Sequence, residues 1–225
     1  MSKASTENSW QSMSITQSFF NHLICGVGLA VGFWVAHNVY HINLVSDPSH
    51  TLRLIWVVES PIVILLYSCL RQNPDKCSYL KAVVRGILGL PVGALINALG
   101  AIALGAPIGI QYISKTINWS LLMSLFTFVP AASVFGSSWA DWQRIFAHTK
   151  PNRSLEYMIC IPAHAAVIGA WFGAWPMPLD WEKPWQEWPI CVSYGVVVGY
   201  LVGIVASSGL VFVHGRQQQQ HHKGE

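Results

Sequence analysis

The sequence predicts an all-α fold, a polytopic integral membrane bundle of about six transmembrane helices with both termini in the cytosol. Apolar residues make up 52% of the 225 residues and charged residues only 10%, whereas soluble domains carry about 25% charged residues. The few charges leave six long windows of mostly apolar residues, each long enough for a helix to cross a bilayer. This composition excludes an ordinary soluble domain.

The predicted spans follow one another through short connections. In chain order they cover residues 19–39, 52–70, 86–108, 117–139, 155–176 and 189–213. A polar segment, 1–18, precedes them, and a low-complexity segment, 214–225, follows them and is predicted to be disordered in the cytosol. Pro91 and several glycines interrupt the third span, so a count of five, with this segment short or re-entrant, stays open.

Small residues spaced by four predict close helix packing, because they let two backbones approach each other in a membrane. They are Gly28, Gly32 and Ala36, then Gly89 with Gly93 and Gly105 with Gly109, then Gly169 with Gly173, and finally Gly195, Gly199 and Gly203. Either these seams close the bundle on itself, or some of them accept helices of another protein. The second span has no Gly or Ala, and its bulky residues predict a lipid-facing position at the rim.

Basic residues predict the orientation. With six spans, ten of the thirteen Lys and Arg residues lie on the side of the termini, and only Arg53, Lys115 and Lys183 lie on the other side. Because short loops rich in Lys and Arg stay on the cytoplasmic side, both termini are predicted to be cytosolic. The connection 176–189 then lies on the lumenal or extracellular side.

Ionisable side chains within spans are functional candidates, because they are costly in lipid. Glu59 in the second span and His164 in the fifth are therefore a candidate polar intramembrane site. The sequence has no HExxH, paired CxxC, GxSxG or glycine-rich phosphate loop, the motifs of common metal, nucleophile and phosphate sites. No catalytic residue, metal, cofactor or nucleic-acid partner is predicted.

The segment WPMPLDWEKPWQEWPI, residues 175–190, contains four tryptophans and four prolines. Tryptophans concentrate at membrane interfaces, and prolines stiffen the backbone so that little entropy is lost on docking. A plain aromatic belt is one interpretation. The other is a docking surface for a protein or a lipid-linked headgroup, and the predicted partner-binding residues are Pro178, Asp180, Trp181, Pro184, Trp185 and Trp188, with Gly169, Gly173, Gly195, Gly199 and Gly203 of the seams.

Residues 169–190, GAWFGAWPMPLDWEKPWQEWPI, resemble the signature of the phosphatidylinositol-glycan biosynthesis class F proteins, the PIG-F family. Gly195-Val-Val-Val-Gly199-Tyr200 is similar to the last helix of that family. The resemblance covers residues 100–205 well, and the first hundred residues match only in length and hydropathy. Lys183 stands where the family has arginine, and Glu187 stands where an apolar residue is usual.

The resemblance implies a non-catalytic subunit of the endoplasmic reticulum membrane that acts in GPI-anchor biosynthesis. Its implied partners are the GPI ethanolamine-phosphate transferases of class O and class G, which carry a lumenal, metal-dependent catalytic domain; membrane lipids are the other expected partners. A different class of function stays open beside it, a small lipid transporter or scramblase with Glu59 and His164 in a polar path.

Overall fold

The structure is a computed structural model that describes residues 15–72, 74–75 and 77–221. It contains six long helices, α1 (Ile15–Asn38), α2 (Pro48–Cys69), α3 (Tyr79–Ala103), α4 (Ile110–Phe135), α5 (Ser154–Ala174) and α6 (Ile190–His221). Each is long and apolar enough to cross a membrane. Over these residues there is no strand, so the predicted all-α membrane bundle of six spans is confirmed.

Three short elements join the long helices. A short helix, Trp139–Trp142, runs into a π-helical turn, Gln143–Ala147, between α4 and α5, and a 3₁₀ turn, Pro184–Gln186, precedes α6. Helix α6 continues to His221, so the predicted disordered tail is helical over residues 214–221. Two parts of the predicted terminal segments lie outside the described residues: 1–14 at the N-terminus and 222–225 at the C-terminus.

The third span differs most from its predicted bounds. Helix α3 begins at Tyr79 rather than at residue 86, because Ser78 caps it: the Ser78 hydroxyl accepts the backbone N–H of Lys81 at 3.3 Å. Pro91 lies within this continuous helix, so the alternative count of five spans is wrong.

Helix α4 supports the interrupted part of α3. The Ser124 hydroxyl donates to the carbonyl oxygens of Gly89 and Leu90, at 3.2 and 2.8 Å, immediately before the proline at position 91. These bonds hold α3 on α4 beside Pro91, but they do not replace the one that the proline removes, because the missing N–H of residue 91 would have reached the carbonyl oxygen of Ile87.

Helix α4 forms the centre of the bundle and α3 lies at its edge. Of the most apolar window of each helix, 78% is buried in α4 and only 17% in α3. Helix α4 packs against α2, α3 and α5, while α5 and α6 form a closely packed hairpin and α1 packs against α2 and α6.

The prediction that the second span lies at the lipid-facing rim is wrong. Helix α2 packs between α1 and α4, and its Leu52, Ile55 and Val63 are fully buried. The small residue that allows the close approach belongs to the other helix, because a Cβ on Gly32 of α1 would lie 3.0 Å from the Cα of Ile55. Bulky residues on one helix are compatible with tight packing when glycine stands opposite them.

Only one of the two glycine pairs predicted for the third span forms a helix seam. A Cβ on Gly89 or Gly93 would meet side chains of α4 within 3 Å. Gly105 and Gly109 instead lie in the connection after α3. Gly105 has a φ of +100° and nothing within 4 Å of a Cβ position, so it serves the turn and not a helix contact.

A candidate docking surface between the last two helices

The hairpin of α5 and α6 is closed by glycine backbones in direct contact. A Cβ built on any of five glycines would lie 2.1–2.6 Å from a backbone atom of the opposite helix. These residues are Gly169 and Gly173 on α5 and Gly195, Gly199 and Gly203 on α6. Each of them faces the other helix of the same chain, and their contact with a partner stays a prediction.

The loop between these two helices, residues 175–189, is held in shape by one buried side chain. The Gln186 Nε2 amide donates to the carbonyl oxygens of Pro176 and Leu179, at 2.6 and 2.7 Å. Its Oε1 accepts the backbone N–H of Lys183 at 2.9 Å. A side-chain amide has two donors and an acceptor, so this residue joins three points of the loop. Gln186 was not predicted as a site residue, because nothing in the local pattern marks this glutamine as buried.

The end of the loop is anchored on the first turns of α4. Trp188 is buried, its ring lies 5.1 Å from that of Trp119, and its Nε1 donates to the Thr116 hydroxyl at 3.0 Å. Lys115 Nζ donates to Glu187 Oε1 at 2.6 Å. The ring and the N–H of Trp188 are therefore both used inside the chain, and its contact with a partner stays a prediction.

Of the remaining predicted residues of the loop, four are exposed and Trp185 is half-buried. Pro178, Asp180 and Pro184 are exposed, and Trp181 is 53% exposed. The Trp181 ring lies 5.9 Å from the ring of Trp185, which is half-buried against the core. We call Pro178, Asp180, Trp181, Pro184 and Trp185 the loop surface.

An aromatic cluster on α5 leads into the loop. Trp171, Phe172 and Trp175 lie with their ring centroids 4.8–5.1 Å apart, and each is more than half exposed. The position of Trp175 at the end of the helix is typical of a tryptophan at a membrane interface. An aromatic belt and an outward-facing loop therefore adjoin each other.

The structure does not bring Glu59 and His164 together. Glu59 is fully buried, neither carboxyl oxygen has a hydrogen-bond partner among the described residues, and Oε2 lies 2.2 Å from the position of a Cβ on Gly28. His164 Nδ1 donates to the carbonyl oxygen of Cys160 at 2.7 Å, and its ring stacks on Phe146. These contacts do not support a polar path through the two residues.

No arrangement typical of a metal centre occurs in the part of the chain that the structure describes, since three or more His, Cys, Asp or Glu side chains do not converge there. The groups of the loop surface are two tryptophan rings, two prolines and a carboxylate, held on a backbone that Gln186 fixes. Such a surface is suited to binding a macromolecule.

Residues 29–208 match the family model described as "GPI biosynthesis protein family Pig-F". The chain belongs to the PIG-F family. The resemblance on residues 169–190 is thereby confirmed. The match also begins at residue 29, about seventy residues before the region that the motifs covered. No solved structure matches the chain significantly.

Individual members of the PIG-F family show how far the similarity extends. A human relative named "GPI ethanolamine phosphate transferase, stabilizing subunit" is 27% identical over 90% of this chain and 95% of its own length. A mouse protein of the same name is 35% identical over 50% of this chain and 51% of its own. A Schizosaccharomyces pombe "PIGF/3-ketodihydrosphingosine reductase fusion protein" is 30% identical over 88% of this chain, which spans about a third (36%) of that protein.

Proposed function

We propose that this PIG-F family member is a non-catalytic membrane subunit that binds and stabilises a GPI ethanolamine-phosphate transferase in GPI-anchor biosynthesis. The names of the human and mouse relatives support this role, and the human match covers nearly the whole of both chains. A stabilising subunit requires a preformed contact surface rather than reactive groups. The observation that carries the proposal is the exposed loop surface held rigid by the buried Gln186.

The loop surface has the properties of a binding hot spot. Tryptophan is among the residues that contribute most to protein interfaces, and Trp181 presents half of its side chain to the outside. Because the backbone beneath it is already ordered by the bonds of Gln186, little entropy is lost when a partner docks. We assign to this surface the contact with the membrane edge of the partner's catalytic domain, or with the lipid entry path between the two proteins.

The glycine seam has an indirect role in this proposal. It fixes the distance between α5 and α6, the two helices from which the loop extends. A change of that distance would move both ends of the loop and would reorient the loop surface.

The partners that we propose are the class O and class G transferases, and the proposed location is the endoplasmic reticulum membrane, where that pathway operates. We assign both termini to the cytosol and the loop surface to the lumen, because ten of the thirteen basic residues belong to the side of the termini. The catalytic domain implied for the partners is lumenal, so this orientation puts the loop surface on the same side.

Mild-detergent purification of the chain from its own cells tests the proposal. We expect a transferase to be recovered near one to one with the wild-type chain. In the double variant Trp181→Ala/Trp185→Ala, recovery should fall by about tenfold or more, as for the loss of hot-spot residues. The matched control is Trp139→Ala, which removes a 73% exposed tryptophan beyond the other end of α4 and should leave recovery unchanged.

Two results would contradict the proposal. One is a wild-type chain that purifies alone, intact and stable. The other is equal transferase recovery with the double variant and with the Trp139→Ala control.

A further inference from the structure

Five arginines lie on the side of the bundle opposite the loop surface; Arg216 lies over the Phe212 ring, and the other four fall into two groups. Arg144 and Arg153 are paired with acidic residues: Glu156, which is fully buried, accepts Arg144 Nη2 at 2.9 Å and Arg153 Nε at 2.7 Å. Asp141 forms ion pairs with the same two arginines. The positive charges of this group are therefore compensated within the chain.

Arg71 and Arg85 form the second group, and their partners are neutral. Both are half-buried, and both donate to Cys77 in the connection between α2 and α3, Arg71 Nε to its carbonyl oxygen at 2.7 Å and Arg85 Nη1 to its Sγ at 3.3 Å. Neither forms an ion pair with a carboxylate of the described residues. Asp75, the acidic residue between them in the sequence, is exposed and pairs with neither.

The two guanidinium groups lie where three helices meet, at the end of α2, the beginning of α3 and the end of α4. Arg85 lies against the residue that follows α4, because a Cβ on Gly136 would be 2.3 Å from Arg85 Nη1. Lys81, one turn before Arg85 on the same face of α3, adds a third positive charge. The hydroxyls of Ser68 and Ser133, within one turn of the pair on α2 and α4, are fully buried without a hydrogen-bond partner in the described chain.

We propose that Arg71 and Arg85 bind the phosphate group of an anionic membrane lipid. The planar guanidinium fork matches phosphate oxygens, and basic pockets between transmembrane helices bind lipid head groups on the cytoplasmic side. The contrast between the two groups carries the assignment: the chain supplies counter-charges for Arg144 and Arg153 and none for Arg71 and Arg85. Lipid phosphates are the anions that are present in excess at that boundary. This site is independent of the transferase partner.

Two other roles fit the same two arginines. They could bind inorganic phosphate, which has the same oxygen atoms as the phosphate of a lipid head group. They could also be structural, because they donate to groups at helix ends, such as the Ser68 carbonyl oxygen at 3.4 Å from Arg71 Nη1. A test must therefore separate a lipid site from a free-phosphate site and from a purely structural role. The amount of retained lipid separates a binding role from a purely structural one, because a structural role affects stability but does not select a lipid.

Mass spectrometry of the lipids that co-purify with the full chain in mild detergent is the first measurement. We expect wild type to retain phosphatidylinositol in preference to phosphatidylcholine. In Arg71→Gln/Arg85→Gln the retained phosphatidylinositol should fall by about tenfold, since each hydrogen bond to a charged group contributes substantially to binding. The control Arg216→Gln removes an exposed arginine that lies 4.2 Å from the Phe212 ring and should retain wild-type amounts.

A second measurement identifies the ligand. Phosphatidylinositol added to phosphatidylcholine nanodiscs should raise the Tm of wild type and leave that of the glutamine variant unchanged. An equal rise with inorganic phosphate in pure phosphatidylcholine would overturn the lipid assignment. If the glutamine variant does not fold, the same two measurements are made on Arg71→Lys/Arg85→Lys, which keeps the charges and loses the planar guanidinium groups. Retention of phosphatidylinositol equal to wild type in the decisive variant would overturn the proposal.

Discussion

Gly169 and Gly195 touch through their backbones, because a Cβ added to either residue would lie 2.1 Å from the carbonyl oxygen of the other. The relationship is reciprocal, so neither position accepts a side chain unless the helices separate. Helices α5 and α6 are therefore as close as glycine allows, and the loop that joins them inherits its position from this contact.

Gly195→Ala tests that contact. We expect it to lower the free energy of unfolding by about 1–3 kcal/mol, the usual effect of overpacking, and to lower the Tm of the purified chain. Gly209→Ala is the control in the same helix, since a Cβ there meets nothing within 4 Å; it should keep or slightly raise the Tm, because alanine favours helix more than glycine does. An equal fall of the Tm in the two variants would show that the backbones of α5 and α6 do not touch at Gly195.

Gln186→Glu tests the support of the loop surface. The change keeps an acceptor for the Lys183 N–H but removes both donors, so that the carbonyl oxygens of Pro176 and Leu179 face a carboxylate. We expect amide hydrogen exchange in residues 175–189 to accelerate by about tenfold or more and transferase recovery to fall. Gln111→Glu, at an exposed glutamine of α4, should change neither, and unchanged exchange in Gln186→Glu would argue against a rigid loop.

A double-mutant cycle tests the contact between Gly28 and Glu59. Gly28→Ala should destabilise the chain, because its Cβ would overlap the buried Glu59 carboxyl. Adding Glu59→Ala vacates that volume and should restore part of the loss, with a coupling free energy of about 0.5–3 kcal/mol. Strictly additive losses in thermal unfolding would mean that the two residues do not touch.

Glu59→Gln separates the proposed subunit from a lipid transporter. The amide keeps the size of the carboxyl, so we expect transferase recovery and the activity of the recovered complex to equal those of wild type. A variant that keeps its partner but loses activity would favour a transport role for Glu59.

Glu156→Gln tests the buried charge network at the beginning of α5. We expect it to lower the free energy of unfolding by about 3 kcal/mol, because two arginines lose the buried carboxylate that they share. The loss should persist at high salt, since buried pairs are poorly screened. Asp75→Asn, at an exposed carboxylate outside the network, is the control, and a loss that disappears in high salt would contradict the burial of the pair.

The six spans could be predicted from the sequence because apolar length is a local property. The burial of α2 could not, because tight packing between two helices depends on the smaller residue at each contact. Ile55 is bulky, and only the position of Gly32 on another helix makes its burial possible. The spacing of the glycines likewise predicted close contacts of α5 and α6 but did not identify what they contact.

The candidate site shows the same division. Trp181 and Trp188 belong to the same segment rich in tryptophan and proline, and local sequence cannot tell which of them faces inward. Thr116, 72 residues away, decides it by accepting the Trp188 N–H. Glu187 is likewise positioned by a residue 72 positions away, through its ion pair with Lys115.

Because α4 is the centre of the bundle, the first three helices lack that centre while the chain is being synthesised. Synthesis proceeds from the N-terminus at about 5–20 residues per second, so α1, α2 and α3 leave the ribosome before α4 exists. During that interval α3 has only α2 beside it, and Gly89 and Gly93 have no α4 to pack against. The newborn chain therefore passes through a half-built stage in which this small-residue face of α3 is uncovered, and this is the stage at which membrane quality control has most to recognise.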